Sequence, residues 1–241
     1  MPFQRELRGS DSEVKNLIRH VVLSTLKSYK KKYGKEYGQL VICADGRSYW
    51  RREYFPHYKG KRKAARDKSD LNWTLIFDTI SEMRVDLAKY FPYKVIHIDR
   101  AEADDVIAVL AKYVQSNELV QQGLFEDETQ KVLILSSDKD FVQLQKYDNI
   151  TQWSPLQKKF IKANKKELHE HIITHIVKAG DDGIPNILSK DDVFMTGGRQ
   201  TPFSTKRLQE FFDKGIDACR NDEERVNFQL FGGKEMSLAF N

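Results

Sequence analysis

Val132-Leu-Ile-Leu-Ser-Ser-Asp-Lys-Asp140 is an apolar run that ends in two aspartates. Apolar residues with no polar alternation suit a strand buried on both faces, as in a parallel sheet. Two earlier segments repeat the pattern. Leu40-Val-Ile-Cys-Ala44 ends in Asp45, and Val95-Ile-His-Ile98 is followed by Glu102-Ala-Asp-Asp105. In a parallel α/β sheet the C-terminal strand ends share one edge, and ligands bind in the crevice outside it. Asp45, Glu102, Asp104, Asp105, Asp138 and Asp140 are therefore expected to converge. Unit charges about 5 Å apart repel by roughly 3 kcal/mol at an effective dielectric of about 20. Such a cluster persists only with protons or cations to neutralise it, and divalent metal is the foremost candidate.

Between these strands the apolar spacing becomes helical. Ser10-Asp-Ser-Glu13 has the form of a capping box, and Val14, Leu17, Ile18, Val21, Val22, Leu26 and Tyr29 follow at helical intervals up to Gly34. Asn72 to Tyr90 reads as a helix with Leu75, Ile76, Ile80, Met83, Leu87 and Tyr90 inward. A further helix is expected from Ala103 to Val120, with Val106, Ile107, Val109, Leu110 and Val114 as core. Its acidic first turn suits the helix dipole, although three acids in four residues exceed what capping needs. Another helix starts near Asp140, a small hairpin joins Ile150–Trp153 to Lys159–Ile161, and Glu167 to Val177 is helical. Alternating strands and helices predict an α/β domain over 1–165, with a mainly parallel central sheet flanked by helices. Residues 166–241 predict a smaller, mostly helical lobe.

With 40% hydrophobic and 31% charged residues among 241, the chain reads as soluble and globular. No apolar run reaches the length of a membrane span, and the polar start lacks the core of a signal peptide, so a cytoplasmic location is expected. Cys43 and Cys219 make a disulfide framework improbable on count alone. The histidines are scattered without zinc spacing, so a carboxylate-rich cluster points to Mg²⁺. Net charge is only +5, but nine Lys or Arg fall between Arg47 and Lys68 against Glu53 and Asp67. Five aromatics, Tyr49, Trp50, Tyr54, Phe55 and Tyr58, are interleaved with them. A solvated helix face is the bland account of such a run. Basic groups that meet phosphates, with rings that stack on bases, are what single-stranded nucleic acid requires. The segment 47–70 is therefore expected to be a basic arch that contacts nucleic acid through Arg47, Tyr49, Trp50, Arg52, Tyr58, Lys61 and Lys63.

Asp138-x-Asp140 alone also occurs in phosphatases that form an aspartyl phosphoenzyme, where it ends the first strand; here it ends the third. The combination is more specific. Asp45, Glu102-Ala-Asp-Asp105, Ser136-Ser-Asp-Lys-Asp-Phe141 and Lys178-Ala-Gly-Asp-Asp-Gly-Ile-Pro185 together resemble the 5′ nuclease (flap endonuclease) superfamily and its PIN-like fold. Within it the likeness is to the ribonuclease H of T-even-type bacteriophages, through Tyr49-Trp-Arg-Arg52, Tyr58-Lys59 with Arg62, Tyr90-Phe-Pro-Tyr93, Ile107-Ala-Val-Leu110 and Gln152-Trp-Ser-Pro155. It covers about Val14 to Pro185.

The resemblance implies a Mg²⁺-dependent 5′ to 3′ exonuclease and flap endonuclease with ribonuclease H activity, removing RNA primers and 5′ flaps in phage DNA replication. DNA and RNA–DNA duplexes with a free 5′ end or flap would be its substrates. A single-strand-binding protein and a sliding clamp would be its partners in the host cytoplasm. Two Mg²⁺ ions are implied, with Mn²⁺ able to substitute. Asp45, Glu102, Asp104 and Asp138 match the carboxylates of the tighter site, with Asp105 beside them. Asp140 and either Asp181 or Asp182 match the second. Lys59 and Arg62, with Arg51, match residues that hold the scissile phosphate. Gly180, Gly183 and Ile184 fall in the segment corresponding to a helix-hairpin-helix element that grips duplex backbone, where a monovalent cation is implied.

Two departures stand out. The superfamily begins with a strand ending in a metal-binding Asp, whereas residues 1–9 hold no apolar run, so open edges are expected on strands built for burial. The family's Gly-Asp-x-x-Asp-Asn loop is compressed to Gly180-Asp-Asp-Gly183. These departures raise an alternative, a DNA-binding fragment with an incomplete, inactive metal site. A third reading, a single-strand ribonuclease toxin of the same broad fold, is opposed by the arch and the hairpin segment.

Overall fold

A computed structural model describes residues 7–46, 48–115, 130–163, 165–179, 183–204 and 206. In chain order these form α1 (Asp11–Tyr37), β1 (Val41–Ala44), α2 (Arg51–Tyr54), α3 (Gly60–Asp67), α4 (Trp73–Tyr90), β2 (Lys94–His97) and α5 (Ala103–Tyr113). Then come β3 (Val132–Leu135), a 3₁₀ helix (Lys139–Lys146), β4 (Ile150–Ser154), β5 (Lys159–Ile161) and α6 (Lys165–Lys178). The chain divides into two compact units, Met1–Pro56 with Lys63–Ala163, and His57–Arg62 with Asn164–Asn241.

In the first unit α1 begins at the expected capping box, where the Ser10 amide donates to the Glu13 carboxylate at 2.8 Å. It runs through Gly34 and stops at Gly38, whose φ of 75° only glycine adopts at little cost. Helix α4 is capped by Asn72, whose side chain accepts from the Leu75 amide. It packs on α1 through Ile76 and Met83 against Val14 and Ile18. The buried stripe is Ile76, Thr79, Met83 and Leu87. Ile80 and Tyr90, expected inward, are 48% and 67% exposed. Positions three, four and four apart follow one helical face, and Ile80 falls just off it. A similar shift exposes Val109 of α5 and buries Val106 and Ala111.

The expected continuous sheet is two separate sheets among the described residues. Strands β1 and β2 pair in parallel, Val41 with Lys94 through Ala44 with His97. Strands β3 and β4 pair in parallel, Val132 with Ile150 through Leu135 with Trp153, and β5 adds antiparallel to β4. No described strand joins β1 to β3. Both instead border one cavity of about 360 Å³. Val41 and Cys43 line one side and Val132 to Leu135 the other, with Tyr33 of α1 and Leu110 of α5 also in its wall. Parallel strands carry apolar side chains on both faces. The open edges expected from the sequence therefore border an apolar cavity, and burial there pushes the Cys43 thiol pKa up.

In the second unit α6 is followed by hydrogen-bonded turns over residues 183–204. Buried Asn186 organises them: its amide donates to the Gln200 side chain, its Nδ2 to the Thr201 carbonyl, and its Oδ1 accepts from Ser189. Gly180, Asp181 and Asp182 lie outside the described residues. No described helix is long and apolar enough to cross a membrane.

The phase of α4 is directly testable. Met83→Ala should lower unfolding free energy by about 2–5 kcal/mol, against under ~1 kcal/mol for Ile80→Ala. Urea unfolding with an unchanged slope would measure both, and equal effects would place the buried face elsewhere.

Candidate active site

At the end of β1, exposed Asp45 accepts the Ala103 amide through Oδ1 at 2.7 Å. Gly46 donates to the Ala101 carbonyl at 2.8 Å, and the Trp50 amide donates to the Arg100 carbonyl at 2.9 Å. The loop after β1 is thus stitched to the loop that starts α5. Gly46 is essential to that approach. A Cβ there would lie 2.8 Å from the Ala101 oxygen and 3.0 Å from both the Arg100 nitrogen and the Ile98 oxygen, all backbone atoms. Gly46 is absent from the candidate residues of the sequence, where its one signal is a glycine placed directly after a strand-ending aspartate.

Glu102 caps α5 and is 3% exposed. A buried carboxylate needs a counter-charge, and Arg51 of α2 supplies it at 2.9 Å. The same guanidinium grips Asp105 through two bonds, of 2.8 and 2.7 Å. Asp105 also accepts from the Glu102 amide at 3.0 Å and the Trp50 indole at 3.1 Å. Burial alone would raise its pKa, but the hydrogen bonds led by Arg51 outweigh that and hold it below the ordinary carboxylate value. The family resemblance implies Glu102 and Asp105 around metal and Arg51 on phosphate. In the structure the three form one ion-pair network. The capping box turns the Asp105 carboxylate back to the Glu102 amide, where Arg51 is at hand. Asp104, in the same first turn, is exposed.

At the end of β3, Asp138 caps the 3₁₀ helix, its Oδ1 accepting the Asp140 amide at 2.9 Å, and both carboxylates are exposed. The preceding loop is fastened from β4. Successive inward residues of that strand are Ile150, Gln152 and Ser154, all buried. Gln152 Nε2 donates to the carbonyls of Ser136 at 3.0 Å and Asp138 at 2.7 Å. Ser154 and Ser137 share a hydroxyl hydrogen bond of 2.9 Å. The strand-end acid pattern does not single out Gln152 and Ser154. The available signal was polar residues on the inward phase of an otherwise apolar strand.

Asp45 and Asp138 each commit Oδ1 to a backbone amide, and Oδ2 takes no hydrogen bond from a described residue. Exposed, oxygen-only donors of this kind suit a hard divalent cation. By element, Glu102, Asp104 and Asp105 lie at the start of α5, where Asp45 meets the Ala103 amide, and Asp138 and Asp140 lie at the start of the 3₁₀ helix. Helix α5 packs against both β1 and the 3₁₀ helix. No group of three or more His, Cys, Asp or Glu arranged to hold a metal occurs among the described residues.

Of the basic segment, Trp50 is 41% exposed, stacks its edge on Tyr54 and lies under the Arg51 guanidinium. The Arg52 guanidinium lies over the Tyr49 ring at 5.4 Å. Lys61 and Lys63 fall on α3, and Arg47 lies outside the described residues. In the second unit, Arg62 is exposed. Tyr58 is 4% exposed, with the Lys59 ammonium 5.1 Å from its ring centre. Expected to stack on bases, Tyr58 instead has its ring buried, with no open face for one. Lys59 adopts φ 56°, a left-handed conformation costly to any residue with a side chain. Gly183 is buried against this turn, where an added Cβ would meet the His57 oxygen at 3.3 Å, while Ile184 is 42% exposed.

Residues 3–173 match the model of the 5′-3′ exonuclease N-terminal, resolvase-like domain. Ribonuclease H of Enterobacteria phage T4 is 35% identical over 222 residues, covering 89% of this chain and 67% of that protein. Flap endonuclease Xni of Shewanella woodyi is 28% identical over 194 residues, covering 77% of this chain and 65% of that protein. A T5 protein co-crystallised with metal ions shares the fold at a TM-score of 0.57 and 18% identity, covering 90% of this chain and 84% of the other. T5 5′-exonuclease with zinc bound gives a TM-score of 0.53 at 19% identity, covering 79% and 74%.

Gly46→Ala should cost about 1–3 kcal/mol through overpacking, read as a shifted denaturation midpoint. Arg51→Ala removes a counter-charge from buried Glu102 and from Asp105 and should cost roughly 3 kcal/mol, the low end for a buried pair because Arg51 is 31% exposed. The lowered Asp105 pKa sets the pH window. Its stabilisation is full above the unfolded value of about 3.9 and is lost as pH falls through the folded value. The gap between wild type and Arg51→Ala should therefore be wide at pH 7 and close in acid. A gap independent of pH would show that the pair does not act through ionised Asp105.

Proposed function

This chain belongs to the 5′-3′ exonuclease family, and we propose that it is a Mg²⁺-dependent nuclease cutting near a free 5′ end or flap, with ribonuclease H activity on RNA–DNA duplexes. The observation that carries the reading is the pair of strand-end aspartates, Asp45 and Asp138. Each is exposed, and each is oriented by one backbone amide that leaves its second oxygen uncommitted among the described residues. Asp45, Glu102, Asp104 and Asp138 would hold the first cation, and Asp140 with Asp181 or Asp182 the second. Such a metal pair supplies a hydroxide nucleophile and neutralises charge on the phosphate. Asp105 serves this site indirectly, by fixing Arg51 and the cap of α5. Lys59 and Arg62 meet the scissile phosphate, where a cation stabilises charge that grows in the transition state. Exposed Trp50 and the basic groups of residues 47–63 meet the strand. The names of the relatives, ribonuclease H from phage T4 and a flap endonuclease from Shewanella, support cleavage of RNA–DNA duplexes and flaps. Primer removal in phage DNA replication, a host-cytoplasmic location and partnership with a single-strand-binding protein and a sliding clamp are part of the proposal.

A second reading is a nucleic-acid-binding protein that does not cleave. Two observations favour it: no group of three or more side chains placed to hold a metal occurs among the described residues, and Arg51 pairs with Glu102 and Asp105.

A labelled 5′-flap substrate separates the two. Cleavage in Mg²⁺ that EDTA abolishes is expected, with Lys59→Ala lowering kcat by about 10²–10³-fold and affinity far less. Tight binding with no cleavage in Mg²⁺ or Mn²⁺ would sink the nuclease reading. An equal loss of rate and affinity would reduce Lys59 to a phosphate contact.

A further inference from the structure

We propose that Gln152, assisted by Ser154, is a positioning residue that sets where the Asp138 and Asp140 carboxylates stand for a divalent cation, a role that rests on the metal reading above. The parallel ladder between β3 and β4 ends where the Ser136 amide donates to the Trp153 carbonyl at 3.1 Å. Beyond that point no further backbone bond from the sheet to the loop occurs among the described residues, and β4 reaches it through side chains. A single amide nitrogen holds two carbonyls that bracket Ser137, those of Ser136 and Asp138. The Asp138 backbone is thereby held at φ −69° and ψ 133°, the extended conformation of a helix cap, with its Oδ1 on the Asp140 amide. Ser154 secures the intervening residue through Ser137 Oγ, which also accepts the Leu156 amide at 3.0 Å.

Burial shows that this arrangement serves more than packing. Gln152 is 1% exposed and Ser154 0%, on the inward phase that begins with Ile150 in an apolar cluster with Ala111, Ile134 and Phe141. An aliphatic residue at 152 would avoid desolvating an amide. Two carbonyl acceptors fix which end of the amide faces the loop, so Oε1 points away and has no hydrogen-bond partner among the described residues. A buried acceptor left in that state is costly. The residue is held for what its nitrogen does, and what it does is orient the loop that carries two exposed carboxylates. Groups that orient metal ligands from behind typically change metal affinity 10–100-fold when removed.

Mn²⁺ titration by calorimetry on the full chain, without nucleic acid, tests the role alongside flap-DNA binding in EDTA. Gln152→Met fills the same space without the donor. It should weaken Mn²⁺ binding roughly 10–100-fold while flap-DNA affinity in EDTA stays within about twofold. Unchanged Mn²⁺ affinity with a lowered melting temperature would overturn the proposal and leave Gln152 a packing residue. Equal losses of metal and DNA binding would overturn it too. Should Gln152→Met not fold, Ser154→Ala decides: weaker Mn²⁺ binding at unchanged DNA affinity supports the role, and unchanged Mn²⁺ binding rejects it. Wild type that takes up no Mn²⁺ overturns the metal reading itself, and this role with it.

Discussion

A carboxylate taken out of water must meet a cation or give up its charge, and at Glu102 that constraint is answered by Arg51. The consequences reach well past one ion pair. Arg51 belongs to the short helix α2, Glu102 and Asp105 to the cap of α5, and Trp50 joins them through its indole. The network draws the loop after β1 against the loop before α5. There the Asp45 carboxylate meets the Ala103 amide, and Gly46 fits where no side chain could. Removing Arg51 would take this ion pair from a buried carboxylate beside the loop that carries Asp45. One electrostatic demand therefore positions half of the candidate site.

The other half is positioned by hydrogen bonds rather than charge. Strand β3 ends before its aspartates do, so the loop that carries them lies beyond the reach of the backbone ladder. Strand β4 exchanges an apolar inward residue for an amide and then a hydroxyl as it nears this edge, and those groups hold the loop. Both halves follow the same logic. An exposed carboxylate on a free loop would sample many positions, and each fixed backbone contact removes part of that freedom before any ligand arrives.

The cavity between β1 and β3 marks the limit of this organisation. Both strands are apolar enough for burial on two faces, yet among the described residues each is paired on one edge only. Carboxylates at the ends of unpaired neighbours are not held at a common spacing by a sheet.

Much of this was legible in the chain itself. Periodicity and caps located α1, α4, the four strands of the two parallel pairings' cores and the β4–β5 hairpin, because backbone geometry and local side chains decide those elements. The strand-end acids, the basic aromatic segment and the family likeness were equally visible as residue types at set intervals. Pairwise geometry was not. That Asp105 answers Arg51, that Tyr58 is buried, that Ile80 lies outside the packed stripe and that one sheet divides into two depend on which groups meet across long stretches of chain. Burial and electrostatic demand settle those contacts only once the chain has folded, and no spacing along it encodes them.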